Sequence, residues 1–366
     1  MLRLEPRAVP SRGWAWASPM VAVLLTALIG ALLFSALGKD PLQSLATFFW
    51  EPIKSRYALT ELAVKATPLI LCALGLALCF RANVWNIGAE GQFLAGAMGG
   101  GWLAIQLGPE AGQGWLALVL LAGIAGGMAW AAITALLRDR FNANEILVSL
   151  MLVYVAQQLL NYLVFGPWKD PMAFNFPQTR MFEPAASLPL LLEGSRLHLG
   201  FALALLLVPV VWLFVQRSDA GFQMQVGGLA PLAARYAGFS SRRALWMALL
   251  ISGGFAGLAG VVEATGPLKQ LTPHVSVGYG FAAIIVAFVG RLHPVGVVLA
   301  AVLMSMFYIG GELAQSRLGL PAALTGIFQG LLLICLLACD TFIASRLRWV
   351  GVGWATGHGM QKSGQK

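Results

Sequence analysis

Long apolar runs recur along the chain, and they limit the fold more tightly than any other feature. They cover 19–38, 58–80, 84–105, 115–137, 146–166, 199–215, 244–265, 278–290, 294–312 and 321–339. A bilayer core about 30 Å thick is crossed by about 20 apolar residues in helical form. Backbone groups in lipid find no water, so only helices and closed barrels satisfy them. Barrel strands alternate apolar and polar side chains, whereas these runs are continuous. The chain therefore reads as an all-α, polytopic integral membrane protein with about ten transmembrane helices. Charged residues make up 11% of it, against roughly 25% in soluble domains, too few to cover a soluble surface. The run 278–290 is short, about 20 Å as a helix. It follows a stretch broken by Pro267, Pro273 and Gly278, so it is expected to start partway into the membrane.

Lys and Arg set the orientation. Arg81, Arg138, Arg140, Arg217, Arg235, Arg242, Arg243 and Arg291 fall in alternate connections, and the excess marks those as cytoplasmic. Both termini are then cytoplasmic. The division is 1–18 as a cytoplasmic N-terminal segment, 19–340 as the transmembrane domain and 341–366 as a cytoplasmic tail. The domain carries a cytoplasmic loop at 216–243 and a proline-rich periplasmic loop at 167–198. The first run follows Arg3, Arg7 and Arg12 as a signal peptide would, but it is long and lacks a small-residue cleavage site. It reads as a retained helix. The net charge of +9 belongs to these loops, and no aromatic-and-basic stripe for a nucleic-acid strand is present. Cys72, Cys79, Cys335 and Cys339 all lie in apolar runs and read as small buried side chains.

Two stretches stand out chemically. In the inner loop, Leu232, Ala233 and Tyr236 fall at helical spacing, with Pro231 suited to a first turn and Gly238 to a helix end. A short helix outside the membrane is expected, either as a plain connection or as a docking helix for a cytoplasmic partner. In the second stretch, Asn86, Glu90 and Gln92 open an otherwise apolar run, with Asn86 and Glu90 one turn apart. Polar and ionisable groups at such positions mark function or a watery mouth. Asn144 and Glu145 open the fifth run. Glu61 and Lys65, also one turn apart, are expected to pair. Gly123 with Gly127, Gly253 with Gly257 and Ala256 with Gly260 are spaced for close helix packing, within one chain or between two. No G-x-x-x-x-G-K-[ST] is present to cradle phosphates, and no HExxH or other catalytic or metal-ligand set is evident. The pattern favours a neutral polar solute.

Four stretches carry a resemblance: Ala66–Phe93 with its NIGAEGQ, Asn144–Met172 followed by Pro177-Gln-Thr, Gly228–Ala244, and Gly278–Val297. In their order and spacing they resemble the permease subunits of bacterial ABC importers of the branched-chain amino acid/ribose type, nucleoside branch. The resemblance implies a multi-pass protein of the bacterial inner membrane and a pathway at the interface of two permease chains, the second often a different one. It implies a cytoplasmic ABC ATPase docked on 228–240, where the ATP is used, and a periplasmic or lipoprotein solute-binding protein. This chain would then bind no cofactor and carry no catalytic residue. Gly228, Pro231, Ala233, Ala234, Arg235, Tyr236 and Gly238 take the coupling role by that match. Asn86, Glu90, Gln92, Asn144 and Glu145 become the candidates near the pathway. Val153 departs from the family, which commonly has Asn there. The rival reading is an ion-gradient-driven secondary transporter of a small polar solute.

Overall fold

A computed structural model describes residues 2–6, 12–112 and 114–349. The helices in chain order are α1 (Arg12–Ala36), α2 (Pro41–Leu45), α3 (Arg56–Arg81), α4 (Ala89–Gln106), α5 (Trp115–Phe141), α6 (Glu145–Phe165), α7 (Leu199–Arg217), α8 (Asp219–Leu229), α9 (Pro231–Tyr236), α10 (Ser241–Glu263), α11 (Tyr279–Val289), α12 (Pro294–Leu318) and α13 (Ala323–Ala344). Two short strands, β1 (Leu2–Pro6) and β2 (Ser345–Trp349), pair antiparallel. This ribbon and an isolated antiparallel bridge between Leu190 and His198 are the departures from an all-α chain among the described residues. Backbone pairing across a bilayer is impossible, so the ribbon sets both strands on one face of the membrane. The expected tail 341–366 lies mostly outside the described residues.

Each apolar run contains a helix. Eight helices are long and apolar enough to cross a bilayer. The other two runs are α4 and α11. In α4, Glu90, Gln92 and Gln106 dilute an 18-residue helix, and the chain enters it through non-helical Val84–Gly88 rather than as helix from residue 84. α11 has only 11 residues, about 16 Å at 1.5 Å per residue. It is the half-length helix expected from the broken connection. Ahead of it, α10 widens into a π-type turn over Ala264–Leu268, and Lys269 takes a left-handed conformation at φ 54°.

Two compact units are distinguished, one of residues 31–329 and one of residues 1–30 with 330–366. In the larger unit α3 is the hub, with 89% of its most apolar window buried. It packs on α7, α10, α11 and α12, while α10 also packs on α4 and α5. The glycine spacings find their partners within the chain. A methyl group on Gly96 of α4 would overlap the Gly257 backbone of α10, and Gly257 in turn lies against Gly123 and Gly127 of α5. In the smaller unit, Ser18 Oγ donates to Asp340 Oδ1 at 2.8 Å, and Trp14 and Phe342 pack 5.6 Å apart.

The expected pairing of Glu61 with Lys65 is not what forms. Glu61 accepts from Arg196, with Nε at 3.1 Å. Lys65 pairs instead with Glu312 of α12 at 3.0 Å. Arg196, in the connection before α7, and Glu312 of α12 supply the partners, so each charge pairs across the fold rather than with the residue one turn away.

Candidate functional site

Two regions gather the residues singled out by sequence. The first is the connection between α7 and α10. Proline has no amide hydrogen and disfavours helix in the residue before it. Pro231 accordingly breaks this connection into α8 and α9, and Ala230 between them sits at φ −144° and ψ 73°. The short helix expected here forms as α9, and α8, which was not expected, precedes it. Gly238, at φ +81°, ends α9 in the left-handed region where glycine is favoured. Phe239 N donates back to Ala234 O at 2.9 Å.

Within α9 only Ala234 is buried. Leu232 and Tyr236 are 84% and 97% exposed, and Pro231, Ala233 and Arg235 are exposed with them. A hollow of about 480 Å³ lies beside them, bounded by Asp219, Met224, Arg235, Phe239, Arg243 and Met247. α9 does not hang free. Phe239 meets Phe222 of α8 edge-on, 6.3 Å between ring centres. Gly228 presses on the end of α3, where a methyl group would overlap the Arg81 carbonyl.

The second region is a buried polar seam. Asn86 is fully enclosed, and its amide is fully used. Its Nδ2 donates to Gln92 Oε1 at 2.9 Å and to Ser252 Oγ of α10 at 3.0 Å. Its Oδ1 accepts from Gln92 Nε2 at 3.1 Å and Gly88 N at 3.0 Å. The Asn86–Gln92 clasp thus folds Val84–Gly88 back onto α4.

Glu90, also buried, reaches to the start of α11. Its Oε2 accepts from Gly280 N at 2.6 Å, while the preceding Gly278 and Tyr279 amides donate to the Ser276 hydroxyl, each at 3.2 Å. The first amides of a helix lack intrahelical partners and carry the positive end of its dipole. Glu90 supplies the acceptor and the opposite charge from a different helix. Gly280 is required there, since a methyl group would overlap the Glu90 backbone.

The remaining candidates lie apart from this seam. Asn144 caps α6, accepting from Ile146 N at 2.9 Å. Glu145 pairs with Arg138 of α5 at 3.4 Å. Val153 is buried, with its backbone against Gly91 of α4.

Sequence reasoning gave Tyr279 no role. Its ring is buried, its hydroxyl donates to Glu263 Oε1 at 3.5 Å, and Lys65 Nζ lies 6.0 Å from the ring centre. The signal available was its position next to Gly278 at the start of the short run. Outside the spans, the Glu61 carboxylate holds the Arg196 guanidinium above its ordinary pKa. Burial pushes the His198 imidazole down to about 4.

Known proteins are similar to this chain in sequence. The family model described as branched-chain amino acid transport system / permease component matches residues 58–337. A glucose ABC transporter permease of Haloferax volcanii is 35% identical over 93% of this chain and 92% of its own. A guanosine ABC transporter permease of Bacillus subtilis is 32% identical over 86% and 91%. A nucleoside ABC transporter permease of Lactococcus lactis is 27% identical over 83% and 85%.

Proposed function

The chain belongs to the family of branched-chain amino acid transport system permease components, and from that premise we propose that it conducts nucleosides or related sugars inward through the plasma membrane, driven by ATP. The substrate class rests on likeness to permeases named for glucose, guanosine and nucleosides. ATP is hydrolysed by a separate cytoplasmic ATPase, a solute-binding protein delivers the solute, and a second permease chain completes the pathway. Both described ends lie on the cytoplasmic face.

One observation carries the coupling assignment: the six-residue α9 buries Ala234 alone and turns its other side chains outward. Apolar side chains such as Leu232 and Tyr236, exposed beside Arg235, suit a groove on a partner protein. Gly228, Pro231, Ala233, Ala234 and Gly238 set the shape of that lever, and Arg235 and Tyr236 engage the ATPase. Asn86, Glu90 and Gln92 serve transport by holding α4, α10 and α11 together rather than by touching solute. Asn144 and Glu145 fix the α5–α6 turn.

The test is uptake by the assembled importer in proteoliposomes. Arg235→Glu and Tyr236→Ala are expected to abolish ATP-driven accumulation and loosen ATPase co-purification, while solute binding by the external protein is unchanged. Wild-type uptake by both variants removes the coupling role. Accumulation by this polypeptide alone, following an ion gradient, overturns the importer reading itself.

A further inference from the structure

α6 departs from its neighbours in one respect. The exposed faces of α5 and α7 are apolar: Leu118, Leu121 and Ile133 on the first, Leu206, Val210 and Leu213 on the second. Such surfaces suit lipid. On α6 a buried stripe of Ser149, Val153, Ala156, Leu160 and Val164 faces the bundle. The opposite face carries, among exposed Leu147, Met151, Val155 and Phe165, the rings of Tyr154 and Tyr162, 62% and 68% exposed, with exposed Gln158 between them and half-buried Asn161 beside them.

Tyr154 and Gln158 lie well inside the span. α6 has 21 residues, about 31 Å of rise, and Gln158 lies about 10 Å from the Phe165 end. An interfacial aromatic belt accounts for Tyr162 but not for Tyr154 at mid-helix or for an amide between them. A primary amide facing hydrocarbon has no partner for its remaining donors and acceptors, and that exposure is unfavourable. Gln158 Oε1 accepts from Asn161 Nδ2 at 3.0 Å, which leaves its own Nε2 hydrogens for an outside partner.

The face continues off the helix. Gln157 Nε2 donates to the Pro273 carbonyl at 3.1 Å, so the irregular connection before α11 lies alongside, with His274 exposed. Irregular backbone at membrane depth is tolerated where it lines a watery cavity. No Asp, Glu, Lys or Arg occurs between Glu145 and Lys169.

We propose that Tyr154, Gln158, Asn161 and Tyr162 form the solute-contacting wall of the permeation pathway and select an uncharged solute carrying a ring and several hydrogen-bonding groups. The phenol rings stack on a base or on the apolar face of a sugar. The amides read its polar edge, and the absence of a fixed charge admits neutral solutes while giving ions no counter-charge. The proposal rests on the importer reading, and it moves solute contact from the seam around Asn86 and Glu90 to a different face.

The four cysteines are buried and free, so an introduced thiol can be read above a low background. Gln158→Cys and Tyr162→Cys are made in the assembled importer, with Leu121→Cys on α5 as the lipid-facing reference. A charged methanethiosulfonate reagent is applied to permeabilised membranes so that it reaches both faces. Thiols react as thiolates, which form in water and not in hydrocarbon, so labelling at 158 and 162 is expected to exceed that at 121 by at least about tenfold. Guanosine and glucose are tested separately as protectants during turnover. Slowing by guanosine alone identifies a base-bearing solute, and slowing by glucose alone a sugar. Labelling at 158 and 162 as slow as at 121, in an importer that still accumulates solute, overturns the proposal and leaves the importer reading intact. Labelling that neither solute slows also overturns the selective role. Absence of uptake by the wild-type importer is instead a failure of the importer reading.

Discussion

Removing the Glu90 carboxylate tests the role of the half-length helix. In Glu90→Ala the amide of Gly280 loses an acceptor at 2.6 Å. A hydrogen bond to a charged group contributes about 1.5–3 kcal/mol, and a buried amide left without a partner costs about 1–3 kcal/mol. The interaction of a buried charge with the helix dipole adds up to about 2 kcal/mol. These contributions overlap, so about 3–5 kcal/mol is expected for Glu90→Ala. Glu90→Gln keeps one acceptor oxygen and the volume but loses the charge, so about 1–2 kcal/mol is expected. The buried cysteines supply the assay, because a thiol-reactive fluorophore reports their exposure as the purified protein is heated. The expected order of midpoints is wild type, then Glu90→Gln, then Glu90→Ala. A Glu90→Ala midpoint equal to wild type refutes the capping role. Equal losses in both variants refute the division between acceptor and charge.

Three further outcomes follow from particular contacts. Gly96→Val forces α4 away from Gly257 of α10 and is expected to cost at least about 3 kcal/mol, the upper end for overpacked sites, read as lost folded yield in detergent. His198 Nδ1 accepts from Gly200 N at 3.2 Å, and its folded pKa of about 4 lies below its ordinary 6.5. The unfolded chain therefore takes up the proton first as pH falls. Stability drops between about pH 6.5 and pH 4, by up to about 3 kcal/mol, and His198→Asn flattens that slope in thermal scans at several pH values. Lys65→Glu sets two carboxylates together where Lys65 now pairs with Glu312. The Glu312 side chain is 59% exposed, so the loss is held to about 1–2 kcal/mol, and Glu312→Lys in the same chain restores it.

Much of the fold was legible because bilayer thickness converts directly into run length. All ten apolar runs hold helices, and the short run before Arg291 was identifiable as a half-length helix from its prolines and glycines. Proline at 231 and glycine at 238 marked the ends of α9. Partners between distant segments were not legible. Glu61 and Lys65 satisfy an i,i+4 rule, but Arg196 and Glu312, from distant parts of the chain, take them instead. Asn86, Glu90 and Gln92 were visible as anomalies, but their distant partners are Ser252 and Gly280, which no local pattern connects to them. Val153, notable by departing from its family, packs against Gly91. The amide and phenols of α6 form no local sequence pattern; burial on the opposite face is what gives them a common direction.

The lever and the seam are joined by an unbroken path. Gly228 presses on the Arg81–Asn83 backbone. Arg81 Nε donates to the Leu292 carbonyl at 3.0 Å, in the turn between α11 and α12. Three residues beyond Asn83 lies Asn86, and four further Glu90 holds the other end of α11. A displacement of α8 thus meets α11 at both ends, through the Val84–Gly88 connection and satisfied hydrogen bonds. Contiguity alone does not establish coupling; a double-mutant cycle does. Gly228→Ala, which disturbs the lever at Arg81, and Glu90→Gln, which weakens the cap, share no contact, so their effects on ATP-driven uptake should multiply if the sites are independent. Transmission through α11 instead predicts that the second substitution does little once the first has broken the path, a departure of at least about fivefold in rate, or about 1 kcal/mol. Strict multiplication of the two effects would sever the lever from the half-helix.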